Sequence, residues 1–582
     1  DGILISTDSS DTTSSLTLGD ISFDSANLTL QAFNANNLSF IHGTLTGSID
    51  NLNLAAAYGG SLDLNLLSVD ILGNINVFAE GVGSSSTLQA DLNGNDIDYI
   101  RVESLNGANV SVDIVGGITV HGGVLMSADA SSDAHLHTSG YVTFDHASLT
   151  INQSGPSLND HVAEFYLGSA VGSHTSGTID GLYLRAENGA QESYNLDIHH
   201  DGSGYCADTK FYSFLDVTGN IELVSDGNDS YLDLHGTLSE GDFHNISVIA
   251  SNDGIASLSL FGDYISMDGN LEVAAYHHGS VDVYFDRPIS MYGGNLSVAA
   301  EGISISIDSE DLEDFYGSAD LWAYTNFNLS LNSDSYLNDI NVSQSYLGQV
   351  DVHLSGDYTV SGDINVITYN DDGSDWGGGY ASLDLGDGHV QLMGGNIFVG
   401  ASQEEHAYLT GNIDGSSVGN VFVIAGDTQA HASANLSGSF EVSNDVTVLA
   451  DSAPYPPYYF YLSGDTSSFS TLTGNVDGSL FNNMNIVSVF DGHAEVNLTG
   501  NVTLAGTINI KALDTGFVSP FPFDSNIYQY ELSTDPSFSP STYVAFDHIN
   551  FDGANLVIDK AGSSADLHLI INDASEIGRA HV

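Results

Sequence analysis

The densest run of oxygen ligands in the chain is Asn370-Asp371-Asp372-Gly373-Ser374-Asp375. Three carboxylates in one short turn suit a hard cation such as Ca²⁺, which takes about six to eight oxygens. The run lacks the distal Glu of an EF-hand, and the chain has no repeated Gly-Gly-x-Gly-x-Asp nonapeptide. Asp371, Asp372 and Asp375 are therefore a weak calcium site or a solvated acidic turn. Asp226-Gly227-Asn228-Asp229 is a lesser version of the same feature. Diffuse condensation of divalent cations on an acidic surface competes with any single tight site, and no other cofactor is implied. The paired histidines, His199-His200 and His277-His278, do not form a ligand set, because neighbouring strand residues point to opposite faces.

Catalytic patterns are few. Gly415-Ser416-Ser417-Val418-Gly419 has the Gly-x-Ser-x-Gly form. A nucleophile elbow needs a strand before it and a helix after it. The strand-like Val421-Phe422-Val423 follows instead, so the run is a turn of small residues. There is no P-loop and no His-Glu-x-x-His. The 76 acids make carboxylate pairs common by chance, so a glycosidase-like pair is neither selected nor eliminated. The expectation is that the chain is not an enzyme. Binding candidates are the aromatics at outward repeat positions, Trp322, Phe398 and Phe422. Tyr455, Tyr458, Phe521 and Phe523 join them from two Pro- and aromatic-rich stretches. They suit a sugar or a partner chain, or packing under side loops.

The elements that carry these residues follow from composition and repetition. The 582 residues hold 7 Lys+Arg against 76 Asp+Glu, for a formal net charge of -69. Such a field repels phosphate backbones and anionic lipid, so nucleic acid is excluded as a partner. Hydrophobic residues make up 42%, enough for a core, but no apolar run approaches the ~20 residues of a membrane span. One Cys, Cys206, leaves no internal disulfide.

One pattern recurs: a small residue, Asn or Asp, then apolar-x-apolar. It begins at Asn220, Asn245, Asn270, Asn295 and Asp320, each 25 residues after the last. Further copies centre on Asn27, Asn51, Asn74, Asp363, Asn396, Asn420 and Asp445. Each period holds about three alternating stretches, such as Val281-Asp282-Val283, Ile289-Ser290-Met291 and Leu296-Ser297-Val298. Alternation with β-branched residues is strand chemistry, and no sustained 3.6-residue stripe appears. Three short strands per ~25 residues predict an all-β fold, a parallel β-helix (β-solenoid). A row of sandwich domains would not repeat its sequence at so short a range.

Stacked coils would set Asn220, Asn245, Asn270 and Asn295 above one another as a structural ladder, as identical side chains stack in cross-β arrays. The adjacent Gly suits a turn with φ > 0. Asn-x-Ser/Thr triplets then follow from the ladder rather than from glycosylation. The domain reading is a repeat array over 1–512 with a loop near 451–462, an insertion over 513–548 and a resumed coil over 549–575. Residues 576–582 include Ile-Gly-Arg-Ala-His-Val, which reads as a translated sequencing-adapter stretch and is expected to be a scar.

Gly294-Asn-Leu-Ser-Val-Ala-Ala300, Ser361-Gly-Asp-Ile-Asn-Val366 and Thr499-Gly-Asn-Val-Thr-Leu-Ala-Gly-Thr-Ile-Asn-Ile510 resemble filamentous-haemagglutinin-type repeats over nearly all of 20–512. The resemblance implies a right-handed parallel β-helix in a large secreted bacterial adhesin, with no catalytic or binding residues to carry over. The function expected is a secreted or cell-surface adhesin or stalk. Its partners would be a glycan, a host or neighbouring cell surface, or another copy of itself. Alternatives are a polysaccharide-active β-helix enzyme and a calcium-dependent extracellular matrix protein.

Overall fold

A computed structural model describes residues 2–575, less 9–13, 155–162, 168–174, 188–190, 197–213, 302–323, 370–378, 453–466, 514–539, 562–564 and one or two residues at several turns. Every element among the described residues is a β-strand. The chain forms two units, 1–268 with 279–287 and 269–278 with 288–582.

In the first unit, parallel strands stack in register one coil apart. Leu28 pairs with Leu52, Leu52 with Ile75, Ile75 with Ile100, Ile100 with Val124 and Val124 with Leu149. A second stack runs Ser14–Leu18, Asn37–His42, Ser61–Leu67, Ser85–Asp91, Asn109–Val115, Asp133–Thr138 and Ala163–Leu167, a seven-stranded parallel sheet. In-register parallel stacking with a rung every 23–25 residues is a β-solenoid. Period-2 alternation turns Leu28, Leu52, Ile75 and Ile100 into the coil, where each is at most 1% exposed. Burying such a side chain contributes about 1.5–3 kcal/mol, set against the entropy of ordering the coil.

The second unit repeats the plan with three stacks. Ladder strands, those that follow the Asn/Asp position, include Leu271–Tyr276, Leu296–Glu301, Ile340–Ser345, Ile364–Tyr369, Ile397–Ser402 and Val421–Gly426. A side stack includes Tyr380–Asp384, His406–Asn412, His431–Ser437 and Phe469–Asn475. Ser335–Leu337, Tyr358–Val360 and Val390–Leu392 form a short third sheet.

Coil length varies while register does not. Ile364 pairs with Ile397, Val446 with Met484, and Ile508 with Leu556, so 33, 38 and 48 residues fit between neighbouring rungs. Leu296 pairs with Ile340. The rung after Asn295 is thus Asp339-Ile340-Asn341-Val342, and not the copy at Asp320 expected from the strict 25-residue step. The motif match at Asp320 falls within 302–323, outside the described residues, and Trp322 falls with it. Pairing also restarts at Ser541, inside the stretch read as insertion: Thr542, Val544 and Phe546 alternate inward although Pro540 stands directly before them.

The paired glycines of the motif do two different jobs. Gly293 and Gly394 have φ of +89° and +92°. Gly294 and Gly395 do not need that freedom. A Cβ on either would stand 1.6 Å from the carbonyl oxygen of Gly269 or Gly362, one rung away. The glycine next to Asn is fixed by close backbone approach, not by a left-handed turn.

Candidate functional site

The Asn/Asp position builds a hydrogen-bonded column. In the first unit Asn51 Nδ2 donates to Asn27 Oδ1 at 2.7 Å, Asn74 Nδ2 to Asn51 Oδ1 at 2.9 Å, and Asn245 Nδ2 to Asn220 Oδ1 at 2.9 Å. In the second unit the Asn295 amide N–H donates to Asn270 Oδ1, and Asp339 N–H to Asn295 Oδ1. The column continues through Asp363, Asn396, Asn420, Asp445 and Asn483 to the Thr507 N–H. Asp serves as well as Asn because the essential group is an oxygen that accepts the next rung's backbone N–H. The column runs along a solvated edge: Asn270 is exposed and Asn295 half-buried.

Phe398 and Phe422 lie on neighbouring rungs, paired in register, with ring centroids 6.2 Å apart and planes at 51°. Their strands turn Ile397, Val399, Val421 and Val423 into the coil, so the two rings and Ile424 face outward. The outward side continues through Leu449 to Val487 and Val489 on the next two rungs. These side chains form one cluster, packed further by Ile367 and Phe490. Although outward-facing, Phe398, Ile424, Leu449 and Val489 are 6, 2, 3 and 0% exposed. Gly400 leaves the space that the Phe398 ring fills: a Cβ there would meet the ring at 2.5 Å. Phe398 is therefore closed to a ligand in solution, and only half-buried Phe422 has partial access.

A second feature lies on the side stack. Tyr380, His406, His431, Phe469 and His493 occupy one register position on successive rungs. Centroids are 4.6 Å apart for His406–His431, 4.7 Å for His431–Phe469 and 4.8 Å for Phe469–His493. That is the rung spacing, so rings at a common position must stack. Burial lowers the pKa of His406 and raises that of Tyr408, whose hydroxyl meets His406 Nδ1 at 3.2 Å.

Elsewhere imidazoles pair with carboxylates one rung away: His121–Asp145 at 2.9 Å, His244–Asp268 at 2.8 Å and His353–Asp384 at 2.9 Å. In a chain with 7 Lys+Arg, histidine joins Asn, Ser and Thr as a cross-rung partner for acids. Among the described residues no three His, Cys, Asp or Glu side chains converge as a metal set.

Asp371, Asp372, Asp375, Trp322, Tyr455, Tyr458, Phe521 and Phe523 lie outside the described residues, as does 576–582. The sequence reading missed Ile424, Leu449 and Val489 and the ring column. The signal for the first group was present. Val421-Phe422-Val423-Ile424 is a continuous apolar run, the mark of a parallel strand covered on both faces. No protein-family model, curated protein or solved structure matches the chain.

Proposed function

We propose that this chain is part of a secreted or cell-surface β-solenoid that acts as an adhesin or structural stalk, filamentous-haemagglutinin-like in its repeats, and not an enzyme. One observation carries the reading. In the second unit, stretches 302–323, 370–378, 453–466 and 514–539 each fall in sequence between a ladder strand and the side-stack strand that follows it. The rungs on either side keep register regardless. A scaffold that holds its pitch while the connection between two strands varies suits the display of recognition segments.

The partner proposed is a glycan or cell surface of low negative charge, or a further copy of the chain, because a net charge of -69 repels nucleic acid and anionic lipid. Calcium enters only as weak, diffuse binding. No helix among the described residues is long and apolar enough to cross a membrane. The test is binding of the purified chain to neutral glycans and to whole cells. Retention that falls when the four stretches are replaced by Gly-Ser linkers supports the reading. Release of oligosaccharide from a neutral glycan by the intact chain overturns it.

A further inference from the structure

We propose that the side stack of the second unit carries a binding site for a neutral polysaccharide: a cleft over Ser433, walled on one side by the open face of the Tyr408 ring. The proposal rests on the adhesin reading above and adds to its variable connections a surface on the coil itself. The site lies on four rungs of described residues, His406–Asn412, His431–Ser437, Phe469–Asn475 and the first half of His493–Leu504. Small and aliphatic residues alternate inward on each rung, which leaves the polar and aromatic ones outside.

Ring geometry opens the cleft. The ring column His406, His431, Phe469 and His493 has successive interplanar angles of 36, 22 and 19° at centroid distances of 4.6, 4.7 and 4.8 Å. Rings so close and so nearly parallel lie face to face, so their planes stand across the stack axis. Tyr408 lies within 6° of the His406 plane, with ring centroids 6.0 Å apart, and its hydroxyl meets His406 Nδ1 at 3.2 Å. The faces of the Tyr408 ring therefore look up and down the stack. The residues in register with it on the neighbouring rungs are Ser382 and Ser433. His431 covers a face of His406, whereas a serine has no ring to cover Tyr408, which is 38% exposed. Beyond Ser433 the next residue in this column is Thr471. Two rungs span about 9.5 Å, which seats one sugar ring in van der Waals contact with Tyr408 and with Ser433 beneath it. On the Ser382 side Thr410 Oγ1 donates to the Asp384 carboxylate at 3.1 Å, so the Ser433 side is the uncharged one.

The rim has the chemistry of a hydroxyl-rich, uncharged ligand. Asn435 is exposed, and His431 and Thr471 are half-buried. Hydroxyl and amide groups both donate and accept, as sugar hydroxyls require. A pyranose sets C–H groups on its flat face, which suit the tyrosine ring, and hydroxyls around its edge, which suit this rim. The polar edge continues in register through Thr410, Asn435, Thr473 and Asn497, so the surface suits a chain of sugars and not a single one. Among the outward residues of the four rungs only Glu495 is a carboxylate, and none is Lys or Arg. In the second stack of the first unit, the rungs Ser85–Asp91, Asn109–Val115 and Asp133–Thr138 turn Asp91, Asp113 and Asp133 outward. The uncharged face is thus a local feature of a chain with net charge -69, and the surrounding field turns away an anionic glycan.

The experiment is retardation of the full chain in native gels that contain dextran, a β-1,3-glucan or a galactomannan, with polygalacturonate as the anionic counterpart. At least one neutral polymer should retard the parent, and polygalacturonate should retard it less. Tyr408→Ala removes the platform, and Ser433→Tyr fills the cleft with a second ring stacked on Tyr408. Each should weaken binding to the neutral polymer by about tenfold or more. Circular dichroism checks that the strands persist, and if one variant loses them the other decides. Neutral-polymer binding that survives the substitutions overturns the proposal and leaves the adhesin reading standing. Stronger retardation by polygalacturonate overturns the ligand class. No retardation by any neutral polymer, with the chain still retained on whole cells, overturns the site alone. Loss of both overturns the site and the adhesin reading together.

Discussion

Arg101 and Glu103 occupy, in the strand Asn95–Leu105, the outward positions that Phe422 and Ile424 occupy in Val421–Gly426. The inward neighbours are interchangeable: Ile100 and Val102 in one, Val421 and Val423 in the other, all at most 2% exposed. Arg101 Nη2 and Glu103 Oε1 form an ion pair at 2.8 Å, with half of the arginine side chain in solvent. Ile424 is 2% exposed. The two rungs show that inward residues set the coil and its register, while outward residues set what surrounds the coil. A solenoid can therefore change its neighbours along its length without changing its fold.

The interior half of that comparison is tested by the largest effects. Phe144 in the first unit and Phe481 in the second are each 1% exposed, and Phe481 packs on Phe440 at 5.5 Å. Phe144→Ala and Phe481→Ala should each cost about 3–5 kcal/mol of stability by denaturant unfolding. A cost for one site and not the other would break the claim that the two interiors are equivalent.

The outward half is tested by exchanging chemistries. Ile424→Asp places an unpaired carboxylate on a covered face and should cost about 3 kcal/mol. Glu103→Ile removes an ion pair whose arginine is half in solvent and should stay within about 0.5 kcal/mol of the parent. Equal effects in urea midpoints would show that the two outer faces do not differ as described.

How far the sequence carried the fold depends on where its periodicity is dense. The rungs at Asn27, Asn220 and Asn396 were legible because an oxygen acceptor and inward aliphatics recur at each, and at Asn396 close backbone approach also holds Gly395. Asp339-Ile340 was overlooked because a step of 25 residues led to Asp320, and inserted chain obeys no spacing rule. The covered patch was half legible. Phe398 and Phe422 were singled out as outward aromatics, but Ile424, Leu449 and Val489 join them only once the register of the rungs is known. The ring column was not legible at all, because His406, His431 and His493 become neighbours only once register is known.

The Asn column is common to both units and predicts a smaller, equal effect. Asn51 donates to Asn27 and accepts from the Asn74 N–H, while Asn420 donates to Asn396 and accepts from the Asp445 N–H. Asn51→Ala and Asn420→Ala should each cost about 1–2 kcal/mol, the net worth of two partly solvated hydrogen bonds. Asn420→Asp keeps the acceptor and should lose less. If Asn420→Asp matches Asn420→Ala, the donor and not the acceptor is the essential group, and the account of why Asp substitutes for Asn fails.

The smallest effect tests the ring column. His406 is half-buried, stacks on His431 and meets Tyr408, and burial holds its pKa below the ordinary 6.5. As pH falls, the unfolded chain takes up the proton first. Stability from the neutral ring is complete above 6.5, drains between there and the ring's own lower pKa, and is constant below that. His406→Phe keeps a ring in the stack and removes the proton site. The parent should therefore lose more thermal stability than His406→Phe when moved from about pH 7.5 to about pH 5. The direction of the difference decides the matter. If His406→Phe is as acid-sensitive as the parent, burial does not hold the His406 imidazole neutral in the column.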